Sequence, residues 1–156
     1  MKALAVVLAM MVLAAPQGAA AIDLHALWHD RCQGCHGHAG AFARERAPLR
    51  DGLEAFLAGH RGGLSAGLAR GVAAMLHGAA VAPDLFARQC RICHGPAASF
   101  VRERLTLRDD RLAGRYSGRD IDAFLRAGHG RLEAGDAEVL AAQLRRVLGE
   151  VRYEAD

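Results

Sequence analysis

Lysine is almost missing from this chain. Lys2 is the only one among 156 residues, so every later basic side chain is Arg or His. Methionine stops at Met75, which leaves the second half without a thioether to offer. Cysteine occurs only as two pairs, Cys32/Cys35 and Cys90/Cys93, and none is left over to form a separate disulfide. Neither charge sign dominates: 20 Lys and Arg face 17 Asp and Glu, a net charge of +3, which argues against nucleic acid as a partner. Strand-like alternation is nearly absent, which argues against a sheet-based architecture. No Ser/His/Asp triad, paired acidic site or phosphate loop stands out, so any chemistry must come from the cysteines and histidines.

Long apolar runs are also scarce. One runs from Ala3 to Ala15, after Met1-Lys2 and before Ala19-Ala20-Ala21. A short charged start, an apolar stretch and an A-x-A site are the marks of a secretory leader, here residues 1–21. The run is too short to span a bilayer comfortably, and no later stretch can cross one. An uncleaved anchor is the alternative. Cleavage after Ala21 would leave roughly 135 residues, enough for one ordinary domain or two small ones.

The two cysteine pairs carry the most specific signal. Cys32-Gln33-Gly34-Cys35-His36 recurs in kind as Cys90-Arg91-Ile92-Cys93-His94. This is the spacing of c-type haem attachment. Two thiols three positions apart can each add to one vinyl group, and the following His can then bind the iron. A redox dithiol needs no trailing His. A structural zinc site could use four thiols, but nothing would require a His after each pair. Two covalently bound haem c groups are therefore the expected cofactors, with zinc or coincidence as the alternatives.

A shift of 58 positions aligns more than the cysteines. Leu27-Trp28 falls on Leu85-Phe86, Phe42 on Phe100, Arg44-Glu45-Arg46 on Arg102-Glu103-Arg104, and Leu49-Arg50-Asp51 on Leu107-Arg108-Asp109. The second copy then carries about ten extra residues, around Asp110 to Asp120, before Ala55-Phe56-Leu57 meets Ala123-Phe124-Leu125 and Gly59-His60 meets Gly128-His129. Two related units follow: 22–78 and 84–156, joined by a linker at 79–83. Units this small bury limited core and often need a cofactor as a staple.

Each unit reads as helical. The pattern predicts a helix over 23–31 with Asp23 as N-cap and Leu24, Leu27 and Trp28 on one face. Pro83 and Asp84 should open its counterpart. Further helices are expected over 53–58, 68–76 and 120–127. The last helix should take Asp136 as N-cap, with Val139, Leu140, Leu144, Val147 and Leu148 on its buried face.

A leucine and an aromatic residue, three residues, then Cys-x-x-Cys-His-Gly occur in Leu27–Gly37 and again in Leu85–Gly95. With a helix before the motif and one closing each unit, this resembles the class I cytochrome c domain. The resemblance implies an all-α fold, two small class I cytochrome c-like domains in tandem, each wrapped round one haem. It implies Cys32, Cys35, Cys90 and Cys93 as thioether sites and His36 and His94 as proximal ligands.

On the opposite face this family usually supplies Met, and the chain departs from that pattern. After His94 the only His is His129, flanked by glycines that let backbone approach a ring. His60 is its repeat partner, in competition with Met75, His77 or an open site for the first iron. Met75 aligns with Gln143 in the closing helix and reads better as core. His38 is too near His36 to reach the other face, and His25 and His29 lie in the first helix. Pro48 is a candidate carbonyl partner for the second ring nitrogen of His36. The arginines 102, 104, 108, 111, 115 and 119 form a solvated surface, or else pair with haem propionates or an acidic partner.

The expected function is electron transfer between redox protein partners in the periplasm, not enzymatic turnover. The alternative is a small haem enzyme or gas-binding protein with one open iron. If haem staples each unit, replacing all four cysteines with Ala should lower far-UV helicity, since small metal domains fold poorly without metal. Full helicity in the haem-free variant would count against the staple.

Overall fold

The structure is a computed structural model that describes residues 20–61, 63–133 and 135–155. The leader expected at 1–21 lies outside them, save for Ala20 and Ala21. Helices dominate, and two related halves follow one another along the chain.

The first half has five helices: α1 (Leu24–Arg31), α2 (Gln33–His36), α3 (Ala39–Glu45), α4 (Leu53–Gly59) and α5 (Ala66–Val81). The start of α1 follows from Asp23, whose carboxylate accepts from the Ala26 N–H at 2.9 Å. Leu24 and Trp28 are buried as expected, and Leu27 is half-buried. Ser65 caps α5 by accepting from the Leu68 N–H at 3.4 Å. The core of this half is α5's buried face, with Val72, Met75 and Leu76, against Leu24, Trp28, Ala43, Leu53 and Leu57.

The linker expected at 79–83 is mostly helix, because α5 continues to Val81. Alanine carries the best helix propensity, and Ala79 is buried in the first core, so nothing stops the helix before Pro83. Pro83 disfavours helical backbone at the residue before it, and Ala82 is accordingly extended, with φ −84° and ψ 136°.

The second half opens on a π-helical turn, Phe86–Cys90, followed by α6 (Arg91–His94), α7 (Ala97–Arg104), β1 (Leu105–Arg108), β2 (Arg111–Gly114), α8 (Ile121–Arg126) and α9 (Asp136–Glu150). Pro83 is not yet helical; Asp84 makes the cap, accepting from the Ala87 N–H at 3.1 Å. Asp120 caps α8 at 2.9 Å. Asp136, expected as the N-cap of α9, is its first helical residue instead, and Gly135 at φ 87° precedes it. Its carboxylate there still favours the helix dipole. Leu140, Leu144, Val147 and Leu148 are buried, whereas Val139 is 38% exposed and off the core face.

The hairpin β1–β2 was not expected. Its strands pair antiparallel from Leu105↔Gly114 to Arg108↔Arg111. The turn residues Asp109 and Asp110 have φ of 49° and 58°, the left-handed pair that a two-residue hairpin turn requires. The ten-residue insertion is thus spent on the second strand and the loop after it, while Leu105, Leu112 and Ala113 enter the second core.

The halves are interlocked. Ile22 and Tyr153 exchange backbone hydrogen bonds of 2.7 and 3.0 Å. The Tyr153 ring packs into the first core, and its hydroxyl donates to the Gly67 carbonyl at 3.0 Å. Arg102 reaches Asp23, the cap of α1, at 2.6 Å, and Arg44 reaches Asp84, the cap of the second half, at 3.0 Å. The buried Glu150 is held by His25 at 2.7 Å and by Arg146. A Cβ at Gly71 would lie 2.7 Å from the Tyr153 ring. Gly71→Ala should therefore push Tyr153 out of place and destabilise the protein by about 1–3 kcal/mol, read as a lower thermal midpoint. An unchanged midpoint would mean that Tyr153 contributes little to joining the halves.

Candidate functional site

Each cysteine motif folds into a single helical turn, and the two copies share one backbone. Both α2 and α6 begin after a half-buried cysteine and end at a glycine of φ 69°, Gly37 and Gly95. A side chain at either glycine would be strained, so the turn ends where only Gly is comfortable. The glycine N–H closes the turn on Gln33 O or Arg91 O, at 2.9 Å in both. Residues three and four apart in a helix share a face. One turn therefore places Cys32, Cys35 and His36 together, and likewise Cys90, Cys93 and His94.

All four cysteines are free thiols. Burial pushes the Cys32 thiol up, against an opposing pull from Arg31. Burial also pushes Cys90 up, with Cys93 adding to the rise. A raised thiol holds less thiolate at neutral pH than an ordinary cysteine.

The histidines meet in pairs. His36 lies 5.8 Å from His60, centroid to centroid, and His94 lies 6.0 Å from His129. A ring nitrogen sits about 2 Å from a metal it binds, and the ring centre about 1 Å beyond, so two imidazoles facing across one ion have centroids about 6 Å apart. Both pairs have that separation. Among the described residues no hydrogen bond reaches any of these four rings, the Pro48 carbonyl included, so no protein group competes for their nitrogens. Nor do three or more His, Cys, Asp or Glu residues gather into a cage for a bare ion among the described residues. Two imidazoles per half suit an iron whose other four positions a porphyrin fills.

Aromatic rings frame each pair alike. Phe42 lies 5.1 Å from His36 and Phe100 lies 4.8 Å from His94. Phe56 lies 4.7 Å from His60 and Phe124 lies 4.4 Å from His129. A guanidinium covers the outer phenyl in both, Arg50 over Phe56 at 4.5 Å and Arg119 over Phe124 at 4.7 Å. The shift of 58 pairs Arg50 with Arg108, so the sequence match points to the wrong arginine. Trp28 adds a bond its repeat partner Phe86 cannot make, donating to the Gly37 carbonyl at 2.8 Å.

The competing ligands lie elsewhere. Met75 is 2% exposed within the first core. His77 is exposed on α5, His38 and His29 are exposed, and His25 is paired with Glu150. The structure brings none of them to His36.

A cavity of about 480 Å³ opens beside the second motif, lined by Cys93, His94, Phe100, Arg104, Arg115 and Ser117. Leu105 and Gly114 of the hairpin line it too, and Arg115 and Ser117 follow the hairpin directly. The sequence match passed over Arg115 and Ser117, because the insertion has no counterpart to align with. No helix among the described residues is long and apolar enough to cross a membrane. Compared with known proteins, the chain matches no protein-family model, no curated protein and no solved structure.

Proposed function

We propose that the chain is a dihaem c-type cytochrome that carries electrons between redox proteins in the periplasm, exported by its N-terminal leader. Cys32 and Cys35 hold one haem c through thioethers, and Cys90 and Cys93 hold the other. His36 with His60, and His94 with His129, are the axial pairs. The observation that carries this reading is the duplicated imidazole pair at metal-bridging separation beside each Cys-x-x-Cys-His turn.

Haem, when bound, supplies a one-electron iron couple. The protein's part is to hold that iron on both sides. His36 and His94 ride on the turns that carry the thiols, so attachment and ligation are positioned by one short element. His60 follows the end of α4, against Phe56, and His129 follows α8, against Phe124. Two imidazoles in place of imidazole and thioether lower the potential relative to a Met-ligated carrier. With both faces taken, no position is open for a substrate, which favours electron transfer over turnover.

The alternative, a haem enzyme or gas-binding protein with one open iron, requires an imidazole to leave. His129 is the one to watch. It is exposed and sits between Gly128 at φ 99° and Gly130 at φ 86°, with Phe124 stacked against its ring at 4.4 Å.

Expression in cells competent for cytochrome maturation should yield a coloured protein with the added mass of two haems. His60→Ala and His129→Ala should each turn one haem high-spin and able to bind carbon monoxide, with that mass unchanged. A low-spin spectrum that survives His129→Ala would remove His129 as a ligand. Rapid carbon monoxide binding by the reduced wild-type protein would favour the open-iron alternative.

A further inference from the structure

We propose that Arg115 is the carboxylate anchor of the second site, and that its guanidinium takes a propionate of the haem attached at Cys90 and Cys93. This rests on the dihaem reading above. The charge of Arg115 is unmet among the described residues. Its Nη2 donates to two neutral carbonyl oxygens, Arg102 O at 2.9 Å and Leu105 O at 3.1 Å. Its Nε is enclosed and has no acceptor. Among the described residues Arg115 pairs with no carboxylate; Glu103 lines the same cavity without bonding to it. A buried donor without a partner costs free energy, and a cation more so than a neutral group.

The position tells what would meet that charge. Arg115 lines the cavity that His94 and Cys93 also line. A haem bonded to those two residues brings two carboxylates, and the open arm of the guanidinium fork, Nη1, keeps N–H groups to donate to one of them. The backbone at this position is fixed. Its backbone N–H donates to Arg104 O at 2.7 Å, and its own carbonyl accepts from Arg108 Nη2 at 3.1 Å. Arg146 offers a contrast: its Nε is equally enclosed, but its Nη1 is bonded to Glu150, so its charge is met.

The segment that carries Arg115 lies within the insertion and has no counterpart in the first half. The anchor is therefore one-sided. A fixed positive charge beside a haem favours its reduced form, so the second haem should take the electron in preference to the first.

The test is a redox titration of the holoprotein, with the second haem assigned as the wave that His129→Ala also moves. Arg115→Gln keeps an amide donor for the carbonyls and removes the charge. It should lower the reduction equilibrium of the second haem about tenfold, or about 59 mV for a one-electron couple, and leave the first haem unmoved. Arg115→Lys keeps the charge but not the fork, so the shift should be smaller. In both variants the propionate bending band of the second haem should move in resonance Raman spectra. If Arg115→Gln fails to fold, the Raman band of Arg115→Lys decides. Two haems present, with neither wave nor band displaced, would overturn the anchor alone. A wild-type product without two haem masses would overturn the dihaem reading and the anchor with it.

Discussion

Two imidazole rings held about 6 Å apart and tilted to one another, at 46° in one half and 57° in the other, are the constraint on which the rest of the molecule depends. Imidazoles have no reason to adopt that spacing for each other's sake. They are too far apart to hydrogen-bond, and no third group bridges them. What holds them is the placement of two short elements per half: a one-turn helix ending at a strained glycine, and the end of a second helix whose phenylalanine lies against the ring. Each element is too short to be stable alone, because a helix of four to seven residues scarcely repays its nucleation. The long closing helices, α5 and α9, give α4 and α8 a surface to lie on, while α2 and α6 rest on the segments next to them in the chain.

The closing helices also show where the one thioether of the described residues is used. Met75 and Gln143 occupy matching places in α5 and α9, and both are buried. Met75 fills the first core with soft apolar volume. Gln143 has hydrogen-bonding work instead. Its amide oxygen accepts from the Phe86 N–H at 3.2 Å, and its amide nitrogen donates to Asp84 at 2.9 Å. The N-terminal N–H groups of a helix lack partners within the helix, and Gln143 satisfies one of them. One structural position thus serves packing in one half and capping in the other.

Local chemistry was legible in the sequence; tertiary context was less so. Asp23, Asp84 and Asp120 act as caps because a carboxylate before an apolar periodic stretch has one strong local option. The partnership of His60 with His129 was readable because the repeat match resumes just before them. The hairpin was hidden for a physical reason. Its strands are four residues long, and its turn is Asp-Asp rather than a pair with glycine, so neither period nor turn chemistry announced it. The linker was misplaced because alanine reads as weak structure on paper yet extends a helix readily once one face, here Ala79, is buried. Arg119 and Arg115 could not be found by matching halves, since both lie in the insertion that the sequence match skips, although Arg119 does over Phe124 what Arg50 does over Phe56.

The joining of the halves follows a reciprocal logic. Arg44 and Arg102 are repeat partners, and each reaches across to the carboxylate that starts the other half's first helical segment. Exposed pairs of this kind contribute little singly, on the order of 0–1 kcal/mol. The stronger link is the buried Glu150. It is 7% exposed, so losing either His25 or Arg146 would leave a carboxylate short of a partner in a poorly solvated place. With Tyr153 of the second half seated in the first core, the halves cannot separate without exposing apolar surface and breaking the Ile22–Tyr153 pairing. The proposed electron relay would have use for that rigidity, since transfer between two sites depends on their separation staying fixed. The same interlock makes the asymmetry of the insertion count: two near-copies held in one frame differ chiefly at the hairpin and the loop after it, where one half carries an arginine that no carboxylate among the described residues meets.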